Sequence, residues 1–463
     1  MKRLGRHLCA LVALACVQLA GCERASGPTP PQRIFLITVD TLRADHLGAY
    51  GYDRATSPSI DRLSGESVRF DRAISQWPLT GPSFASIMSG LYPRATGRKG
   101  QPHVSPPDNV ELISEFLRGE GYTTVAVVSN MVLSRRAGWD RGFDEYLETW
   151  SGADADLEDP IELKSWLTAA RVNDLVLPLF ERHRDAEKLF AWIHYSDPHT
   201  PYSLPENFDN PFVSNDSTPV PRRLSKSITL TGFETVGDYV ANYDANVMIA
   251  DEGVDIALDR AAELGLMEDA LVIFTADHGE SLGERDYFFR HGRFPYNAST
   301  RVPLIIHDPK RFVAGAVVGE PVELIDLYPT LRELVTPGEP GEPTPGSSLV
   351  PTLRGEAKPR GAAFVESRRN EAMLFGVQSR DWKLVTTVRR KPDGEQHISE
   401  ELYRMPDDLG EMQDLLDAHP GEALTLRRLL GEWMERIGEA PDAESPEVDE
   451  QMRKALQALG YLD

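Results

Sequence analysis

Four apolar runs without alternation stand out along the chain: Arg33 to Val39, Thr123 to Val128, Leu189 to Tyr195 and Leu271 to Ala276. Each is short and rich in β-branched or aromatic residues, as expected of strands covered on both faces. Between them the period becomes helical. Asp108 to Gly119 puts Val110, Leu112, Ile113, Phe116 and Leu117 on one helix face. Asn242 to Gly265 has the same spacing and ends on a glycine. Ser57-Pro58 reads as an N-cap followed by proline at the first helical position, opening a short helix through Leu63. In the stretch Gln76 to Gly90, Thr80 fits an N-cap, Pro82 the first turn and Gly90 the stop. Strands alternating with helices predict an α/β/α sandwich around a large mixed, mostly parallel sheet. The pattern changes after Thr336 to Gly346, a Pro- and Gly-rich stretch that marks a boundary. Beyond it Ala362 to Val365, Met373 to Val377 and Trp382 to Val388 alternate like antiparallel strands, and Leu424 to Ile437 is helical. The expected division is a catalytic domain over 33–335 and a small C-terminal α+β subdomain over 336–463.

Open α/β sheets place their chemistry at the carboxyl ends of the strands. The run at Leu271 ends in Asp277-His278-Gly279-Glu280, and the run at Arg33 ends in Asp40. The run at Leu189 ends in a polar turn with Asp197 and His199, and the run at Thr123 ends near Asn130. Carboxylates beside imidazoles suit a metal; taken singly, they equally suit a strand end with a polar loop. His291 is a candidate further ligand. Thr80 is a hydroxyl at a helix start, where Gly81 and its neighbours offer free N–H groups to a tetrahedral oxyanion. As a nucleophile it needs a cation, because no base adjoins it in sequence. The plain alternative is a capping threonine. Asn130 suits a donor to a phosphoryl oxygen and equally a turn residue.

Charge and cysteines narrow the classes. The chain has 463 residues, 41% of them hydrophobic, and a formal charge of -23. Such an acidic balance argues against nucleic acid as partner. Lys2, Arg3, Arg6 and His7 precede an apolar run from Leu8 to Ala20, too short for a comfortable membrane span. It closes on Leu19-Ala20-Gly21-Cys22, which resembles a bacterial lipobox. Residues 1–21 are then a signal peptide, Cys22 carries a lipid anchor, and 22–32 form a Pro-rich tether. The expected location is the bacterial cell envelope, at the outer membrane, since Glu23 and not Asp follows the cysteine. The three cysteines are Cys9, Cys16 and Cys22, so the folded body has no disulfide and no thiolate nucleophile.

Together these stretches resemble the sulfatases of the alkaline phosphatase superfamily. Asp40-Thr41-Leu42-Arg43-Ala44-Asp45-His46-Leu47-Gly48 with Tyr50-Gly51-Tyr52 is similar to the family's opening strand and loop. Ser89-Gly90-Leu91-Tyr92-Pro93 resembles the end of its nucleophile helix, and Tyr243-Asp244 with Asp251 the helix before the Asp-His strand. Asp277 to Glu284 with His291-Gly292 is also similar to the bacterial phosphoethanolamine transferases. The resemblance implies a metal-dependent hydrolase of phosphate or sulfate esters. Asp40, Thr80, Asp277 and His278 would hold a first ion; Asp197, His199 and His291 would hold a second and protonate the leaving group. Zn²⁺ or Mn²⁺ suits such mixed ligands better than Ca²⁺. The departure lies in Thr80-Gly81-Pro82-Ser83-Phe84. Sulfatases carry cysteine or serine at the first position, oxidised to formylglycine, and arginine at the last. Threonine would oxidise to a ketone, so no formylglycine is expected and the hydroxyl itself becomes the nucleophile. The substrate class is a small, lipid or glycan ester. Transfer to a lipid or glycan acceptor, and a catalytically silent binding lipoprotein, are the alternatives.

Overall fold

The computed structural model describes residues 29–99, 104–151, 160–222, 224–225, 227–339, 341, 343–391, 395–405, 407–443 and 450–458. The signal peptide, Cys22 and most of the tether lie outside the described residues, as does most of the acidic stretch 151–160.

The four apolar runs are strands at the centre of the main sheet. Its strands are β1 (Arg33–Val39), β2 (Val68–Ile74), β3 (Thr123–Val128), β4 (Glu145–Glu148), β5 (Leu189–Tyr195) and β6 (Ala270–Thr275). After the small hairpin of β7 (Ser281–Leu282) and β8 (Phe288–Arg290) come β9 (Arg301–His307), β10 (Val317–Val318) and β11 (Val322–Glu323). The sheet runs β10-β2-β9-β6-β1-β5-β3-β4, with β11 also on β2. Strands β6, β1, β5, β3 and β4 are mutually parallel; β9 is antiparallel to both β6 and β2. Two reversals restore direction, so β2 also points the same way as β6. Every strand that carries predicted chemistry therefore ends at one edge.

Helices cover both faces, which is why the central strands are apolar throughout. Helices Pro58–Gly65, Ala169–His183 and Val236–Glu263 pack together in one layer; Thr80–Ser89, Ile113–Gly119 and Leu327–Val335 pack in the other. The helix expected from Asp108 begins only at Ile113, because the Glu115 side chain caps the backbone N–H of Leu112. The helix expected from Asn242 starts earlier, at Val236, where Thr235 and Asp238 form a reciprocal cap.

The C-terminal region carries β12 (Ala362–Arg369), β13 (Ala372–Ser379), β14 (Trp382–Arg390) and β15 (Gln396–Arg404), all antiparallel in sequence order. The three alternating stretches are thus joined by a fourth strand, whose mostly exposed positions hide it from a hydrophobic pattern. Helix Pro420–Ile437 lays Leu426, Leu430 and Trp433 on this sheet, and Trp433 stacks on Phe364 with rings 5.1 Å apart. Among the described residues, no helix is long and apolar enough to cross a membrane.

Candidate active site

Register brings the site together. Val39 of β1 is level with Tyr195 of β5, Thr38 with Thr275 of β6, and His194 with Val128 of β3. The residues just past these strands are Asp40, Asp197 and His199, Asp277 and His278, and Asn130. The turn after β1 is strained: Thr41 has a φ of 57°, unusual for a β-branched residue. That conformation aims its N–H at Asp277 Oδ1, 3.3 Å away, while its carbonyl accepts the Tyr243 hydroxyl at 2.8 Å. Tyr243 also accepts the N–H of Arg43. On the same long helix Asp244 binds His46, Tyr52 and Arg54, and Asp251 caps the helix at Pro58 through the N–H groups of Ser59 and Ile60. One helix thus clamps the whole segment that follows Asp40.

Asp40, Asp277 and His278 are fully buried, and one ligand atom of each lies within 4.8 Å of the others. Asp40 Oδ1 and Asp277 Oδ2 have no hydrogen-bond partner. His278 Nδ1 lies 2.9 Å from the Gly279 carbonyl, so it carries the proton and Nε2 offers its lone pair to the group. Burial and the nearby His291 push His278 down to about 3, which keeps it neutral. Burial and the charge of Asp40 push the Asp277 carboxyl well above the ordinary range. Two adjoining carboxyls of this kind ionise together only beside a cation. Orphaned oxygens, a correctly polarised imidazole and a like-charge pair all fit a divalent metal.

Thr80 lies at the rim of this group, fully buried, with Oγ1 3.3 Å from His278 Nε2. Leu79, not Thr80, is the N-cap of helix Thr80–Ser89: its backbone is extended and its carbonyl accepts the N–H of Ser83. Thr80 is the first helical residue, which turns its hydroxyl toward His278. Gly81 follows within the first turn and is also buried. Ser83 is tied to the Asp277 carbonyl at 2.7 Å, locking helix to strand end. Phe84 fills the core between Trp192, His194 and Trp139, with ring centroids 5.0, 5.1 and 6.4 Å away.

Among the described residues Asp197, His199 and His291 do not bring three ligand atoms within 4.8 Å of one another. The His291 ring lies 4.4 Å from that of His278 and 5.2 Å from that of His199, beside the first group. Asp197 Oδ1 accepts the N–H of Ala169 at 3.0 Å, while its Oδ2 is buried with no hydrogen-bond partner. Burial pushes it up to about 6, opposed by Lys164. Asn130 donates its amide N–H to Asp40 Oδ2 and accepts the N–H of Val132, which orients the carboxylate. His194 lies behind the site, its Nδ1 2.9 Å from Thr38 Oγ1 and its Nε2 3.6 Å from Asp40 Oδ2.

Two buried groups receive no role from the residue pattern, although one of them, Glu280, closes the Asp-His strand end. Lys164 donates to the carbonyls of Ser196, Asp197 and His199 at 2.6, 2.8 and 2.8 Å, as a metal ion would gather them. Glu280, fully buried, sets Oε1 3.2 Å from His291 Nδ1. A third, Arg43, lies within the opening motif; it grips Asp45, Glu284 and the Glu280 carbonyl.

The chain is similar to known proteins along most of its length. A sequence model of the family described as sulfatase matches residues 32–336, and one for the C-terminal part of N-sulphoglucosamine sulphohydrolase matches 283–436. A Delta 4,5-hexuronate-2-O-sulfatase of Bacteroides thetaiotaomicron is 26% identical, over 96% of each chain. A choline-sulfatase of Rhizobium meliloti is 26% identical over 77% of this chain and 78% of its own. Among solved structures, a 2-O GAG sulfatase superposes with a TM-score of 0.72 at 22% identity, over 92% of this chain and 96% of the other. A phosphonate monoester hydrolase of Agrobacterium radiobacter gives 0.69 at 20% identity, over 88% and 96%.

Proposed function

We propose, from the premise that this chain belongs to the sulfatase family, that it hydrolyses sulfate or phosphate esters with Thr80 as the nucleophile. Asp40, Asp277 and His278 would hold one divalent cation, Zn²⁺ or Mn²⁺ before Ca²⁺. Such a cation supplies Lewis acidity, lowering the pKa of a nearby alcohol and drawing charge from an ester oxygen. The single observation that carries the reading is Thr80 Oγ1 lying 3.3 Å from His278 Nε2, at the edge of the three-ligand group. Thr80 Oγ1, its proton released to solvent, attacks sulfur or phosphorus in line, and the bond to the departing alcohol breaks. That alcohol takes a proton from His291, whose ring lies against His278. Water then cleaves the threonine ester and frees Thr80 Oγ1; its proton passes to His199 and on to His291, whose ring lies 5.2 Å from that of His199. Asn130 holds Asp40 in place, and the N–H groups at the helix start, Gly81 included, face developing oxyanion charge. The relatives named for hexuronate 2-O-sulfate and choline sulfate suggest a sugar or small alcohol as the other half of the ester.

The test uses protein stripped of metal and reloaded with Zn²⁺, Mn²⁺ or Ca²⁺, assayed on sulfates, phosphate mono- and diesters and phosphonates. Turnover should return with an ion bound at one per chain. Thr80→Ala should lose at least about a thousandfold in kcat with an unchanged melting curve, and mass spectrometry should find Thr80 unoxidised. A fully active Thr80→Ala protein would refute the assignment.

We also propose that the chain is a lipoprotein of the bacterial envelope, from the Leu19-Ala20-Gly21-Cys22 sequence. Cys22→Ser should move the full-length protein from the membrane to the soluble fraction; membrane retention of that variant refutes it.

A further inference from the structure

The buried carboxyl of Glu280 is used by none of the steps above. Gly279 explains how it enters the core. A side chain at Gly279 would meet the Ala298 carbonyl oxygen at 2.2 Å, so only glycine lets the chain pass this close to helix 297–300. The N–H of Gly279 bonds the Ser299 carbonyl, and Arg43 holds the Glu280 carbonyl at 3.1 Å. With the backbone pinned on both sides, the Glu280 side chain turns inward behind His291 and is 0% exposed. Its Oε1 lies 3.2 Å from His291 Nδ1. The Tyr202 hydroxyl faces the same carboxyl. A carboxyl buried this completely costs stability, and such groups are retained where they act. A carboxyl on one ring nitrogen fixes the tautomer and orientation of an imidazole and sets what its other nitrogen does.

We propose that Glu280 is a positioning residue for leaving-group protonation: by occupying His291 Nδ1 it makes Nε2 the nitrogen that serves the departing oxygen. This rests on the reading of His291 given above. As the ester bond breaks, the departing oxygen takes the Nε2 proton; the second proton, shared between Nδ1 and the Glu280 carboxyl 3.2 Å away, stays on Nδ1, and a neutral ring beside a carboxylate remains. An acid held this firmly matters only for leaving groups too basic to depart unaided. The inferred substrates are therefore esters of unactivated alkyl or sugar alcohols rather than aryl esters.

The experiment compares two esters of the same acid, one of p-nitrophenol and one of a simple alkyl alcohol. Both are assayed with wild type, Glu280→Ala, Glu280→Gln, His291→Ala and the double variant Glu280→Ala/His291→Ala. Glu280→Ala should lose at least about tenfold more kcat on the alkyl ester than on the aryl ester. Glu280→Gln, whose amide oxygen still accepts from Nδ1, should recover much of that difference, and it carries the comparison if Glu280→Ala does not fold. The double variant should be no slower on the alkyl ester than His291→Ala alone. Equal losses on both esters, or additive losses in the double variant, overturn the inference. Wild type that turns over neither ester overturns the hydrolase reading itself, and this inference with it.

Discussion

Lys164→Met tests whether the turn after β5 is held by one ammonium. The side chain is 3% exposed and its nitrogen meets three carbonyls, of Ser196, Asp197 and His199. Hydrogen bonds from a charged donor contribute about 1.5–3 kcal/mol each, so their loss costs roughly 5–9 kcal/mol. Burial opposes this. It pulls the Lys164 amine from 10.5 down to about 8, with Asp197 and Asp40 pulling the other way. That shift corresponds to about 3 kcal/mol of charge burial that methionine no longer incurs. The net loss is therefore about 2–6 kcal/mol, a fall of about 2–6 °C in melting temperature for a chain of 463 residues. The turn also carries His199, so kcat should fall on the order of tenfold or more. Metal content should stay the same, because Asp40, Asp277 and His278 follow β1 and β6 and not β5. Lys164→Arg should not rescue, since a planar fork cannot point three donors at carbonyls gathered round one atom. Calorimetry, turnover and metal analysis read these outcomes. A melting shift under about 1 °C with full turnover would show that the three bonds are energetically idle.

Restoring the family's arginine should harm this chain: Phe84→Arg replaces a ring packed on Trp192 and His194 by a buried guanidinium. The expected loss is about 3 kcal/mol or more in denaturant unfolding, and an unchanged midpoint contradicts it. Glu366→Gln addresses pH. Burial pushes Glu366 from 4.5 up to about 7, against the pull of Arg94 and Lys99. Its unfolded form ionises first, so the stability it contributes is full below pH 4.5 and is lost as pH rises to 7. Glutamine loses nothing over that window, so the variant should gain about 3 kcal/mol on wild type between pH 4.5 and 8. Urea midpoints that shift in parallel with pH would rule this out.

The pattern of residues determined the four central strands of the main sheet and most of what they carry, while β2, β4 and β9 stayed hidden in it. Unalternating apolar runs read as buried parallel strands because burial on both faces leaves no polar period. The residues just past them, Asp40, Asp277, His278, Asp197, His199 and Asn130, were legible because strands of one direction deliver chemistry to one edge. Thr80 was legible as a hydroxyl at a helix start, though its place inside the cap was not. Cap position depends on which side chain is pulled elsewhere, here toward His278. Only the tertiary structure decided which of these side chains meet. Asp197 reads as a ligand in sequence, and the fold gives one of its oxygens to a backbone N–H at Ala169 and leaves the other buried without a partner. Lys164 and Glu280 act from behind the site, one on three carbonyls and one on a ring nitrogen. Groups that position others are chosen by distance in space, Lys164 across 32 to 35 residues of chain and Glu280 across 11, and a linear spacing of residue types carries no trace of that.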